Sequence, residues 1–192
     1  MIARDIFFDR IRPSVFHGRL KQKQVEGTAA ILDAWDGLPL DDLRWLAACL
    51  GTAYHETAFT MQPIAEYGRG RGHPYGRPGK NGGQIPYGRG LVQLTWDENY
   101  ERFDALLGLK GALIRDYNLA LRPDIAAKIL LVGEAEGVFA RFKLSDYLNA
   151  NATDWLHCRR IVNGMDHAED IAGYSRNFYI GLEAASATAA AA

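Results

Sequence analysis

The sequence predicts a mainly α-helical domain with little or no sheet, built around one long glycine- and arginine-rich loop. Helix is predicted because apolar residues return every three or four positions through most of the chain. Alternation at the period of a strand is confined to one short stretch, 90–96. Just upstream, 67–90 holds nine glycines and five Arg or Lys residues with no acid, and a loop of that length inside a compact domain usually carries function. The 192 residues suffice for one domain, at most two-lobed, with a real core. A net charge of −1 supplies no overall field toward nucleic acid or acidic lipid.

In chain order, 1–20 is an N-terminal segment. Its Arg4, Asp5, Asp9 and Arg10 interrupt it too early for the apolar core of a signal peptide, and no stretch is long enough to span a bilayer. Val25, Ala29, Ile31, Leu32 and Trp35 predict a helix over 22–35, stopped by Gly37-Leu38-Pro39. Asp41 or Asp42 offers the N-cap of a helix over 43–57. That helix is apolar nearly all round, which makes it a central, buried one. At about 100° per residue Trp45, Cys49, Thr52 and Glu56 share a stripe, so Glu56 extends a mostly apolar face.

Within 90–96, Val92 and Leu94 are expected in the core, with Gln93 and Thr95 presented to a cleft. Thr95-Trp96-Asp97-Glu98 reads as a capping box opening a helix that turns Trp96, Tyr100, Phe103, Leu106 and Leu107 inward and ends at Gly108. Pro123-Asp124 opens another, reaching Phe142, in which Gly133 and Gly137 admit a close helix neighbour. Helices over 154–162, stopped by Asn163-Gly164, and over 168–184 complete the set. The alanine-rich 184–192 reads as a fraying helical end or a tail without chemistry. Cys49 and Cys158 read as buried thiols that demand neither an oxidising compartment nor a Cys-rich metal site.

Two acids stand out. Glu56 closes the apolar helix and Glu66 opens the polar loop, and two such settings are what keep one carboxyl protonated and another ionised at one pH. Hydrolysis of a glycosidic bond is the reaction that most often uses such a pair. A structural acid paired with an arginine elsewhere is the competing reading of Glu56. His55-Glu56 also begins a zinc-protease helix, but position 59, where the second histidine is needed, is Phe. No Gly-Lys-Ser/Thr completes a phosphate loop. An RGG-type nucleic-acid tract is disfavoured because the rest of the chain is not basic, and Tyr67, Tyr75 and Tyr87 suit sugar rings as well as bases.

Several motifs in order resemble glycoside hydrolase family 19. They are His55-Glu56-Thr57, the later Glu66, Tyr87-Gly88-Arg89-Gly90-Leu91-Val92-Gln93-Leu94-Thr95, Asn99-Tyr100 and Ile161-Val162-Asn163-Gly164. The continuation Ala58-Phe59-Thr60-Met61-Gln62-Pro63-Ile64 and the stretch Ala120-Leu121-Arg122-Pro123-Asp124-Ile125 are most similar to the phage and prophage endolysins of that family. The resemblance covers 22–182. Two departures from the pattern are Pro86, where an aromatic often precedes the turn, and the missing disulfide cysteines of the plant enzymes.

The resemblance implies a lysozyme-like, two-lobed single catalytic domain over 1–192, with a small helical lobe within 109–151. By position it implies Glu56 as general acid and Glu66 as general base. Gln93, Thr95, Asn99 and Asn163 would hold the N-acetyl sugar and the attacking water, Tyr87 would serve as a sugar platform, and Arg89 would tune the carboxylates. The implied reaction is inverting cleavage of the β-1,4 bond between N-acetylmuramic acid and N-acetylglucosamine in peptidoglycan, with the carboxyls about 6.5–9.5 Å apart. Chitin hydrolysis and non-catalytic glycan binding are the alternatives. No cofactor, metal, nucleic acid or membrane insertion is expected, and the protein is expected to be a monomer. A cytoplasmic product released to the wall through a holin-type pore fits the missing signal sequence.

Overall fold

Three helices lead into the loop in the computed structural model, which describes residues 2–190. Helix α1 (Arg4–Ser14) carries Asp5 in its first turn and Arg12 in its last, each complementing the helix dipole. Its Phe7 and Ile11, four apart, are fully buried. Helix α2 (Gln22–Asp36) starts where the Lys21 N–H donates to the Gln24 side chain at 2.8 Å. Helix α3 (Leu43–Glu56) is N-capped by Asp42, whose carboxylate accepts the Arg44 N–H at 2.9 Å. Every residue from Leu46 to Tyr54 is buried, as expected of the central helix.

The loop comes next, folded back by a short antiparallel ladder in which β1 (Ile64–Ala65) pairs with β2 (Arg89–Gly90), Ile64 opposite Gly90 and Ala65 opposite Arg89. Beyond it lie helices α4 (Asp97–Leu106), α5 (Ala112–Arg115) and α6 (Pro123–Glu136), then α7 (Leu144–Tyr147) and a second two-strand ladder, β3 (Leu148–Asn149) with β4 (Ala152–Thr153). A 3₁₀ turn at His157–Ile161 and the long α8 (Ala168–Ala190) finish the described chain. Strand among the described residues is limited to these two ladders, so the mainly α fold with little sheet stands. No helix of the described residues is long and apolar enough to cross a membrane.

The core is organised on α3, which packs against α8 and α6. At Gly51 an added Cβ would lie 2.2 Å from the Ser175 hydroxyl, so only glycine lets α3 and α8 approach this closely. Helix α1 closes the other side of α8, where Gly181 makes room for Ile11. Helix α6 lies within 109–151 but packs on α2 and α3, so this part of that segment is core rather than a separate lobe.

Several local expectations are corrected. The stretch 90–96 is not a strand. Arg89 and Leu94 pair across a tight turn in which Gln93 has φ +52°, so Leu91 is buried along with Val92 and Leu94. Thr95 is not the N-cap of α4. That position is Trp96, at φ +69°, with no side-chain cap, and Trp96 and Leu106 are exposed instead of inward. Helix α6 stops at Glu136 because Gly137 takes a left-handed C-cap. Gly133 admits the rings of Phe139 and Phe103 in place of a helix backbone. The predicted helix over 154–162 is reduced to the 3₁₀ turn at His157–Ile161. Helix α8 carries the alanine-rich end as far as Ala190, while 191–192 lie outside the described residues. Cys49 is buried and Cys158 half-buried, both free thiols.

Candidate active site

Glu56 is the last residue of α3, and Thr57 fixes the turn beyond it. The Thr57 hydroxyl donates back to the Ala53 carbonyl at 2.7 Å and accepts the Met61 N–H at 2.9 Å. Across the fold Arg159 donates from Nη1 to Glu56 Oε1 at 2.6 Å, with the Arg159 side chain 3 % exposed and that of Glu56 18 %. Arg159 is itself anchored through Nε to the Asp166 carbonyl at 3.0 Å. Glu56 therefore has a charged partner, where the sequence alone showed only an apolar stripe shared with Trp45 and Cys49. Trp45 donates instead to the Leu148 carbonyl. Beside the pair, the His55 and His167 rings lie 4.9 Å apart. Burial pushes the His55 pKa below its ordinary value, opposed by the Glu56 charge and reinforced by Arg159 and His167.

A second carboxyl, Glu134 of α6, is buried more deeply than Glu56. It is buried beside Cys49, whose thiol donates to Oε2 at 3.5 Å, while Oε1 has no partner among the described residues. Burial raises its pKa to about 7, with hydrogen bonds from Thr52 and Cys49 and the Arg159 charge pulling the other way. Cys49 and Thr52, on the stripe that ends at Glu56, thus face an acid from another helix. The sequence signal was present: a lone acid inside the apolar window 129–135. Because the folded state holds this proton while an unfolded chain loses it near the ordinary value of 4.5, stability should fall as pH rises from there to about 7 and then level off. Glu134→Gln should flatten that part of the curve. Urea midpoints for both proteins across the window check this, and equal slopes would count against it.

Glu66 lies directly after β1. Its Oε2 accepts the Gly88 N–H at 3.0 Å and its Oε1 the Tyr75 hydroxyl at 3.4 Å. Burial, then the Glu66 charge, raises the Tyr75 pKa and keeps the phenol a donor. Tyr75 is held by a crossing of the loop on itself, since an added Cβ at Gly76 would lie 1.7 Å from the Gly70 carbonyl oxygen. The His73 ring stacks on Tyr75 at 4.9 Å, and Trp96 meets it edge-on at 5.6 Å. Tyr75, His73 and the half-exposed Trp96 therefore form an aromatic ledge beside Glu66 that the sequence motifs did not assign. Gly76→Ala should uncross the loop and displace Tyr75 from Glu66, lowering by tenfold or more any activity that depends on the placement of Glu66. The thermal midpoint should move little, because the helical core is untouched.

The other anticipated residues divide. Gln93 reaches back to the Ile64 carbonyl at 3.3 Å, which puts it beside β1 and Glu66. Thr95 and Asn99 are joined, Asn99 donating to the Thr95 carbonyl at 2.9 Å. Tyr87 is half-buried with one face covered by the Arg89 guanidinium, 3.5 Å from the ring centroid, which leaves at most one face for a sugar. Arg89 is corrected from tuner to scaffold. It is buried and donates to the carbonyls of Ile85 and Tyr87, to Tyr100 and to Asn118, so it holds the turn in shape. Asn163 is exposed and stands in the Glu56 group, its N–H bound to the Arg159 carbonyl at 3.1 Å. The structure thus forms two groups, Glu56 with Arg159 and the Asn163 loop, and Glu66 with Gln93, Tyr75 and the 87–99 turn. They are joined by a turn in which Ala58, Phe59 and Met61 all have positive φ, a form of strain that clusters at functional sites. Among the described residues no three or more His, Cys, Asp or Glu side chains are placed to hold a metal ion.

Neither a protein-family model nor a curated protein sequence matches the chain. Solved structures do. Chitinase C from Streptomyces griseus HUT6037 is similar at TM-score 0.63 and 21 % identity, over 95 % of this chain and 76 % of that one. A bacterial family 19 chitinase is similar at TM-score 0.65 and 22 % identity, over 94 % of both chains. A mutant of chitinase C is similar at TM-score 0.62 and 19 % identity, over 96 % and 76 %. The chain has the fold of the family 19 chitinases.

Proposed function

We propose that the protein is a glycoside hydrolase that cleaves β-1,4 bonds of N-acetylated glycans with inversion, with Glu56 as the acid and Glu66 as the base. The observation that carries the reading is the unequal setting of two glutamates on this fold. One closes a buried helix against Arg159. The other sits at the mouth of a polar loop with two donors on its oxygens.

Glu56 delivers a proton to the leaving glycosidic oxygen, and Arg159 then stabilises the carboxylate left behind, a charge that develops as the bond breaks. Among the described residues Arg159 takes Oε1 and leaves Oε2 without a hydrogen bond, so Oε2 is the atom that transfers the proton. Glu66, oriented by Gly88 and Tyr75, draws a proton from water, which attacks the anomeric carbon from the opposite face of the ring. Gln93 and the Asn99–Thr95 pair stand on the Glu66 side, suited to the acetamido group and the water.

Peptidoglycan is the favoured substrate, supported by the endolysin-like motifs and by the basic loop beside Glu66. Chitin is the second reading, favoured by the names of the structurally similar enzymes. Reducing-end release from purified cell wall and from colloidal chitin separates them, with mass spectrometry of the new reducing sugar. A new N-acetylmuramic acid end is expected. N-acetylglucosamine ends from chitin alone would favour the second reading, and no release from either would remove the proposal.

A further inference from the structure

The loop that orients Glu66 also carries a recess of about 570 Å³ lined by Arg71, Gly72, His73, Pro74, Gly76 and Arg77. Both arginines are exposed, and among the described residues neither has an acidic partner. Lys80, at the far end of the same loop, is by contrast taken up by Glu98 and Glu101. No acid occurs anywhere from 67 to 90, so nothing within the loop neutralises the recess. The Gly70–Gly76 crossing brings Arg71 and Arg77 to one recess from either side of the turn. The recess is tied to the Glu66 group through Tyr75, whose ring stacks on the lining residue His73 and whose hydroxyl reaches Glu66.

We propose that the Arg71–His73–Arg77 recess binds a carboxylate carried by the glycan strand, and so selects acidic wall glycan over neutral polymers of N-acetylglucosamine. Two exposed guanidinium forks lining one recess suit the planar, two-oxygen geometry of a carboxylate. A neutral glycan has nothing to offer them. Peptidoglycan does, since its muramic acid units bear a lactyl group from which an acidic stem peptide extends. The inference rests on the glycoside hydrolase reading for its context, but the binding it describes does not require turnover.

Calorimetric titration of the wild-type protein compares three small probes: the disaccharide of N-acetylglucosamine and N-acetylmuramic acid with its tetrapeptide, the same disaccharide without the peptide, and the neutral dimer of N-acetylglucosamine. At least one acidic probe should bind about tenfold or more tighter than the neutral one, the equivalent of one good charge-assisted contact. The gap should shrink as salt screens exposed charge. Preference for the peptide-bearing probe, whose lactyl carboxyl is amidated, assigns the carboxylate to the stem; preference for the peptide-free disaccharide assigns it to the lactyl group, and equal binding of the two means that the recess takes either. Arg71→Ala/Arg77→Ala should abolish the preference, and Arg71→Lys/Arg77→Lys should restore part of it. Wild-type protein that binds neither acidic probe, or binds all three alike, overturns the proposal. So does a double alanine variant that loses acidic and neutral probes equally. Loss of hydrolysis with the binding preference intact would instead count against the catalytic reading.

Discussion

Glu56→Gln should abolish glycan hydrolysis, lowering turnover by at least a hundredfold, within the range of roughly 10²–10⁴ that a positioned general acid contributes. Glutamine keeps the shape and can still accept the Arg159 hydrogen bond now made to Oε1 at 2.6 Å, but it has no proton to give. Folding should survive, and urea denaturation should show a small loss of stability beside the loss of activity. Retention of even a tenth of the wild-type rate would remove Glu56 from the role of acid. Near-complete unfolding would mean that the residue serves mainly as a structural anchor, the competing reading of a buried glutamate paired with arginine.

Arg159→Met should be the most destabilising single change at the site. It strands Glu56 without its cation, removes a charge that favours ionised Glu134, and cuts the tie to the Asp166 carbonyl. Removing one member of a buried ion pair costs about 3–5 kcal/mol. Pairing the change with Glu56→Gln should recover part of that loss, because no unpaired charge then remains at that position. Urea unfolding of the two single variants and the double variant measures the coupling. A cost below about 1 kcal/mol for Arg159→Met, the value of an exposed pair, would contradict the burial of this interaction.

The helical frame was legible because its punctuation is local. Asp42 caps α3 and Gly37 closes α2, and periodicity between those marks is enough to set both helices within a residue. The turn at 89–96 was not legible, because Gln93 and Trp96 adopt positive φ without being glycine. Alternating apolar residues in a tight turn look like a strand on paper. The two glutamates could be singled out from their neighbours, but their partners could not. Arg159 lies 103 residues from Glu56, and nothing near it in the chain distinguishes it from the exposed Arg160. Glu134 was visible as an acid in an apolar run, yet its meeting with Cys49 and Thr52 depends on the packing of α6 on α3. Arg89 read as a tuner of the carboxylates because it sits in a motif, whereas its partners are main-chain carbonyls, Asn118 and an aromatic cluster that only the fold assembles.

The proposed mechanism, with proton transfer from Glu56 on one face of the sugar and water activated by Glu66 on the other, requires one stereochemistry of the product. Proton NMR of the first reducing ends released from a β-linked wall glycan, recorded before mutarotation, reads it directly. The α-anomer is expected as the initial product. Initial appearance of the β-anomer would mean retention, a nucleophilic carboxylate and a different assignment of these two glutamates.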